Sequence, residues 1–153
     1  MSTGDVPFPR RIRLPHATYA DASAAFHVIV RARIEARPFR GRVGTAVWDT
    51  LMDETSLDRV RMTAACLMPD HLHLVASPGG MDVIKWVNAL KSLTTRRAWE
   101  AGWNGVLWQP RFFDRLLRDE SEYYGALNYI RDNPVAAGLV EDSAEWEWLF
   151  PAP

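Results

Sequence analysis

MPDHLHLVASP, residues 68–78, is the stretch on which the reading of this chain turns. After the turn-forming Pro69-Asp70 it alternates in polarity, and side chains two apart on a strand share a face. His71 and His73 therefore project together, while Leu72 and Leu74 point the other way into a core. Two imidazoles side by side on a rigid element suit one divalent metal ion. They do not make a site alone, so other segments must supply a third ligand, a nucleophile and a substrate.

Working outward, Val60 to Met68 reads as a second strand, joined to the histidine strand by Pro69-Asp70 as an antiparallel pair near the middle of a sheet. Upstream, FHVIVRARI (Phe26 to Ile34) alternates as another strand with Phe26, Val28 and Val30 on one face. His27 falls on the other face with Ile29 and Arg31, where a lone histidine reads as structural. PFRGRVG (residues 38–44) is a basic turn, and Trp48, Leu51 and Met52 predict a helix with Thr45 as its N-cap. Downstream, Pro78-Gly79-Gly80 ends the histidine strand, and Asp82 opens a helix with Val83, Trp86, Val87, Leu90 and Leu93 at core spacing. Its opposite face carries Asn88, Lys91, Ser92, Thr95 and Arg96, a row that suits solvent or a phosphate backbone. After Gly102 to Gly105, VLWQPRFFDRLL (residues 106–117) is extended and irregular at Pro110. The expected fold is a single α+β domain with a central antiparallel β-sheet flanked by helices.

Composition narrows the class. At 153 residues, 48% hydrophobic and 24% charged, the chain suits one globular core and not a disordered segment. A single cysteine, Cys66, excludes a disulfide framework and fits a reducing cytoplasm. There is no apolar run of membrane-spanning length and no apolar signal-peptide core, so a cytoplasmic location without a membrane partner is expected. The net charge of −1 conceals an asymmetry: residues 1–118 hold 17 Lys/Arg against 11 Asp/Glu, and residues 119–153 hold one arginine against eight acids. Sixteen of the 18 basic residues are arginine, the type suited to bidentate phosphate contacts. A polyanion-binding body with an acidic end competes here with a merely solvated surface.

The last helix complements the histidine strand. Asp119 and Glu122 have capping-box spacing, Tyr123, Leu127 and Ile130 form a core stripe, and the helix is expected to end near Asn133-Pro134, with a turn at Ala137-Gly138. Tyr129 lies off that stripe, and Asn133 follows it by four residues on one helix face, within the limits that a following proline sets. A tyrosine hydroxyl and an amide oxygen can thus approach one metal from a single helix.

MPDHLHLV followed by YIRDNPVAAGLV resembles the single-tyrosine HUH transposases, the IS200-like family, and within it the REP-associated (RAYT) branch. The match lies at His71, His73, Tyr129, Asn133, Pro134 and Ala137 to Val140, with weaker similarity through FHVIVRARIEARPF, the Lys91-Ser92 helix and WQPRFFDRLLRD. It divides the chain into a basic N-terminal arm (1–25), a transposase domain (26–140) and an acidic, aromatic tail (141–153). The resemblance implies a ferredoxin-like HUH fold and metal-dependent cleavage and joining of single-stranded hairpin DNA. His71 and His73 would bind Mg²⁺ or Mn²⁺ with Asn133 as third ligand, and Tyr129 would attack phosphorus to give a 5′-phosphotyrosine. Arg10, Arg11, Arg13, Lys91, Arg96 and Arg115 are the candidate DNA-binding residues.

Two features depart from that pattern. The chain is not basic overall, and Arg115 stands where many relatives carry a histidine. Glu141 to Glu147 are expected to fold over the basic surface and compete with DNA. Two other classes stay open: a hairpin-binding regulator that has kept the fold without cutting, and a zinc-dependent hydrolase built on the HxH pair, for which His16 and His27 are the only further histidines. Both a monomer and a homodimer are compatible with the resemblance.

Overall fold

The computed structural model describes residues 13–152. A short helix, α1 (His16–Tyr19), leads into strand β1 (Ala25–Arg31), followed by helix α2 (Gly41–Thr55) and the hairpin β2 (Val60–Met68) and β3 (His71–Pro78). Then come helix α3 (Val83–Glu100), strand β4 (Phe113–Leu117), helix α4 (Glu120–Ala136), a 3₁₀ turn (Ser143–Glu145) and strand β5 (Leu149–Phe150). The five strands form one antiparallel sheet in the order β4-β1-β3-β2-β5, so the histidine strand is central.

Alternation sorts the two faces. Phe26, Val28, Val30, Leu72 and Leu74 are all buried on one face, against Val47 and Leu51 of α2 and Val83, Trp86, Val87 and Leu90 of α3. The other face presents Ala64, Cys66, Met68 and Val75, covered by Ala126 and Ile130 of α4 in a smaller apolar cluster. His27, His71 and His73 belong to this second face by register, since β1 and β3 pair Ile29 with His73 and Arg31 with His71. The sheet thus carries its main core on one side and its polar chemistry beside a lighter helix on the other.

Several boundaries differ from the sequence expectation. Helix α2 starts at Gly41 with Arg40 as N-cap, and Thr45 lies inside it. Within its first turn, Gly44 sits so close to the Trp148 ring that a Cβ there would overlap it. Strand β1 ends at Arg31, after which Ala32 makes one bridge to Trp108. On α3, Thr94 rather than Leu93 occupies the core, its hydroxyl accepting from the Trp108 indole N–H at 2.8 Å. Helix α4 opens at Asp119 as expected, the carboxylate accepting from Glu122 N at 2.8 Å. The return bond is donated by Arg118 N to Glu122 Oε1 at 3.1 Å.

Helix α4 does not stop at Asn133-Pro134 but runs to Ala136 with Pro134 inside and buried. A proline removes one N–H, and here the following turn closes regardless. Asn133 O accepts from Ala137 N, Pro134 O accepts from Leu139 N, and Gly138 takes the positive φ of 74° that ends the helix.

The acidic segment Glu141 to Glu147 does not lie over the cations Arg13 and Lys91, contrary to expectation. It runs from the end of α4 to the β2 edge, where Trp146 Nε1 donates to Leu67 O at 3.1 Å and β5 pairs with Ala65 and Cys66. Arg13 and Lys91 contact Asp114 and Pro110 beside β4, at the opposite edge of the sheet. Among the described residues no helix is long and apolar enough to cross a membrane.

Candidate metal and tyrosine site

Four side chains form a continuous chain across β3 and β1. Asp70 Oδ1 lies 2.6 Å from His71 Nδ1, His71 Nε2 lies 2.9 Å from His73 Nε2, and His73 Nδ1 lies 3.2 Å from His27 Nε2. The bond from His71 holds the Asp70 carboxyl below its usual range, so the Nδ1–H of His71 donates to a carboxylate. Burial, followed by the charge of Arg115, pushes His27 down to about 4. Burial, followed by His71, His27 and Arg31, pushes His73 well below its usual value. Both rings are therefore neutral at pH 7, the form in which imidazole is a metal ligand.

With the third ring, His71, also uncharged, the same heavy atoms allow two proton arrangements. In one, His27 donates to His73, which donates to His71. In the other, His73 donates from Nδ1 to His27, and the Nε2 atoms of His71 and His73 are both bare and facing. Facing lone pairs repel unless a cation lies between them. Their 2.9 Å separation matches neighbouring ligands of an octahedral ion with 2.1 Å bonds, which stand about 3 Å apart. Each ring would then have its distal nitrogen held by another residue, Asp70 or His27, the usual support of a ligating histidine. The residues thus fit a small divalent ion. Among the described residues no three His, Cys, Asp or Glu side chains are grouped to hold a metal.

Helix α4 brings Tyr129 to this pair. Ala126, Ile130 and Pro134 bury against the sheet, and Tyr129, next to Ile130, stays 48% exposed. Its ring stands edge-on to His73 with centroids 5.4 Å apart, and 6.1 Å from His27. Asn133 follows one turn later, half-buried on the same helix. Strand and helix, distant in sequence, thus bring the histidine and tyrosine rings together.

The predicted basic residues scatter. Arg10 and Arg11 lie outside the described residues. Arg13 is bound to Asp114 and lies 4.4 Å from the Phe112 ring. Lys91 Nζ donates to Pro110 O at 3.0 Å, and burial, then the nearby Arg13, lowers its pKa. Lys91 and Arg96 sit on α3, on the sheet face opposite the histidines. Arg115 is on the histidine face, opposite His27 across β1 and β4, and pairs with Glu122 at 3.4 Å. His27, read from sequence as structural, in fact touches His73. Its odd-numbered parity with Ile29 and Arg31 was visible, but the register that brings β1 beside β3 was not.

A tyrosine helix laid over a histidine pair on a central antiparallel strand is the plan of the HUH tyrosine transposases. The chain belongs to the family described as Transposase IS200 like, whose model matches residues 21–133. It is 30% identical over 88 residues to a REP-associated tyrosine transposase of Escherichia coli, covering 56% of this chain and 50% of that one. It is 28% identical over 95 residues to the ISDra2 transposase TnpA of Deinococcus radiodurans, covering 57% and 68%. The chain spans about half the length of the REP-associated relatives it matches. The fold is shared with a REP-associated tyrosine transposase solved bound to a REP hairpin, at a TM-score of 0.64 and 20% identity, covering 86% of this chain and 78% of that one.

Proposed function

We infer that this chain cuts and rejoins single-stranded DNA at hairpins through Tyr129, with His71, His73 and Asn133 holding Mg²⁺ or Mn²⁺. The observation that carries the reading is the half-exposed Tyr129 ring 5.4 Å from His73. A bound divalent ion supplies Lewis-acid polarisation of the scissile phosphate and fixes its orientation. His71 and His73 present their Nε2 atoms, and Asp70 and His27 hold the rings in place. The Tyr129 oxygen loses its proton as it bonds to phosphorus, the P–O3′ bond breaks, and the leaving oxygen takes up a proton to become a 3′-hydroxyl. The 5′-phosphotyrosine conserves the phosphodiester energy, so the reverse attack by a 3′-hydroxyl needs no nucleotide cofactor. That the E. coli relative is REP-associated and the solved neighbour carries a REP hairpin supports hairpin DNA as the substrate class.

A gel assay with labelled hairpin DNA from around the gene tests this. Wild type with Mn²⁺ should give a cut and a slow, protease-sensitive adduct, both lost with EDTA and in Tyr129→Phe. Binding without cutting on every hairpin would make the chain a non-catalytic hairpin binder. Cutting that survives Tyr129→Phe would replace the tyrosine with a water nucleophile.

A further inference from the structure

Seven tryptophans occur in the chain, and most are committed to packing: Trp48, Trp86, Trp108 and Trp148 are buried. Trp99, on the last turn of α3, is 51% exposed. Its indole is nevertheless fixed, the N–H donating to Gly105 O at 2.8 Å. A rigid, half-bare aromatic plate loses little freedom on binding a planar partner.

The plate lines a groove of about 580 Å³ between α3 and the segment leading to β4. Ser92, Thr95, Arg96 and Trp99 form one wall at helical spacing, with Lys91 beside them, and Val106 and Pro110 help form the other. No carboxylate lines it, and Arg96 has no ion-pair partner among the described residues. Cations, hydroxyls and an exposed indole, with no acid, select an occupant that combines negative charge with flat rings. The volume is that of a small-ligand site.

Its position connects it to the histidines. Gln109, in the groove wall, donates from its backbone to Arg31 O at 2.9 Å and from its side chain to Ala32 O at 3.0 Å. Arg31 is the cross-strand partner of His71. The groove therefore opens at the end of the sheet that carries the site, although on the opposite face.

We propose that this groove binds a single-stranded stretch of the DNA, one base stacking on Trp99 and the adjoining phosphate meeting Arg96. The proposal rests on the strand-transfer reading above. It is measured without chemistry, by fluorescence anisotropy of a labelled single-stranded oligonucleotide in EDTA. Trp99→Ala should weaken binding by about 5- to 100-fold, with Trp99→Phe retaining most of the affinity. Arg96→Gln should lower the slope of log affinity against log salt by about 1. An oligonucleotide carrying 5-iododeoxyuridine should photo-cross-link to the peptide containing Trp99. Thermal melts of the variants confirm folding, since Trp99 is exposed. Unchanged affinity in folded Trp99→Ala and Arg96→Gln overturns the proposal. So does a homodimer that dissociates on Trp99→Ala while DNA affinity holds, which would make the groove a subunit contact. Failure is separable from that of the strand-transfer reading: a Tyr129 adduct with no Trp99 effect removes only the groove. Trp99-dependent binding without an adduct removes only the chemistry.

Discussion

His27 shows how much one buried side chain can couple. It is 9% exposed, accepts or donates at His73 Nδ1, and faces Arg115 across the strand pair. Its value of about 4 when folded, against about 6.5 when unfolded, fixes a sign. Above about pH 6.5 both states are neutral. Between there and about 4 only the unfolded chain takes the proton, so stability falls with acidification. His27→Leu should shrink the loss of stability between pH 7.5 and pH 4.5 by up to about 2.5 kcal/mol, read by urea denaturation at both. An unchanged pH dependence would mean that His27 titrates normally in the fold. The same variant leaves His73 Nδ1 without its partner, and Mn²⁺ affinity by calorimetry should drop about 10- to 100-fold. Equal affinity would confine His27 to packing.

Among the elements, the strands were the most legible in sequence and the helix ends the least. Val60–Met68 and the histidine strand follow from alternation between clear punctuation at Pro69-Asp70 and Gly79-Gly80. The histidine pair and Tyr129 could be placed on strand and helix because two-residue and four-residue spacings are local properties. What was hidden depends on distant partners. Helix α2 begins before Thr45, and its Gly44 packs against Trp148, more than a hundred residues on. A helix crossing Pro134 depends on the buried contacts of α4. Gly44→Ala should therefore cost about 1–3 kcal/mol by overpacking, despite the better helix propensity of alanine. Urea midpoints measure it, and Trp148→Phe in the same chain should recover part of the loss. A neutral or stabilising Gly44→Ala would show that the indole moves away freely.

At the scale of the whole molecule, the acidic end behaves as part of the fold. Trp146, Trp148 and Leu149 pack into the two apolar clusters, and β5 covers the β2 edge. Ending the chain after Val140 should lower stability by at least about 3 kcal/mol, the usual cost of losing one large buried aromatic. Thermal melting tests this. A truncated chain that keeps its melting temperature and binds DNA more tightly would restore the acids as a shield. Charge balance, read as a clue to partners, thus says less than where the charges sit: eight acids from Asp119 onward leave the groove beside Arg96 free of carboxylates.

The alternation of His71, Leu72, His73 and Leu74 has a consequence for error. A strand displaced by one residue would bury both imidazoles in the main core and move both leucines to the face beneath α4. The fold therefore proofreads the placement of the histidines. A slip that spoils the site also spoils the packing, so the register that places the histidines is held by the burial of the leucines alternating with them.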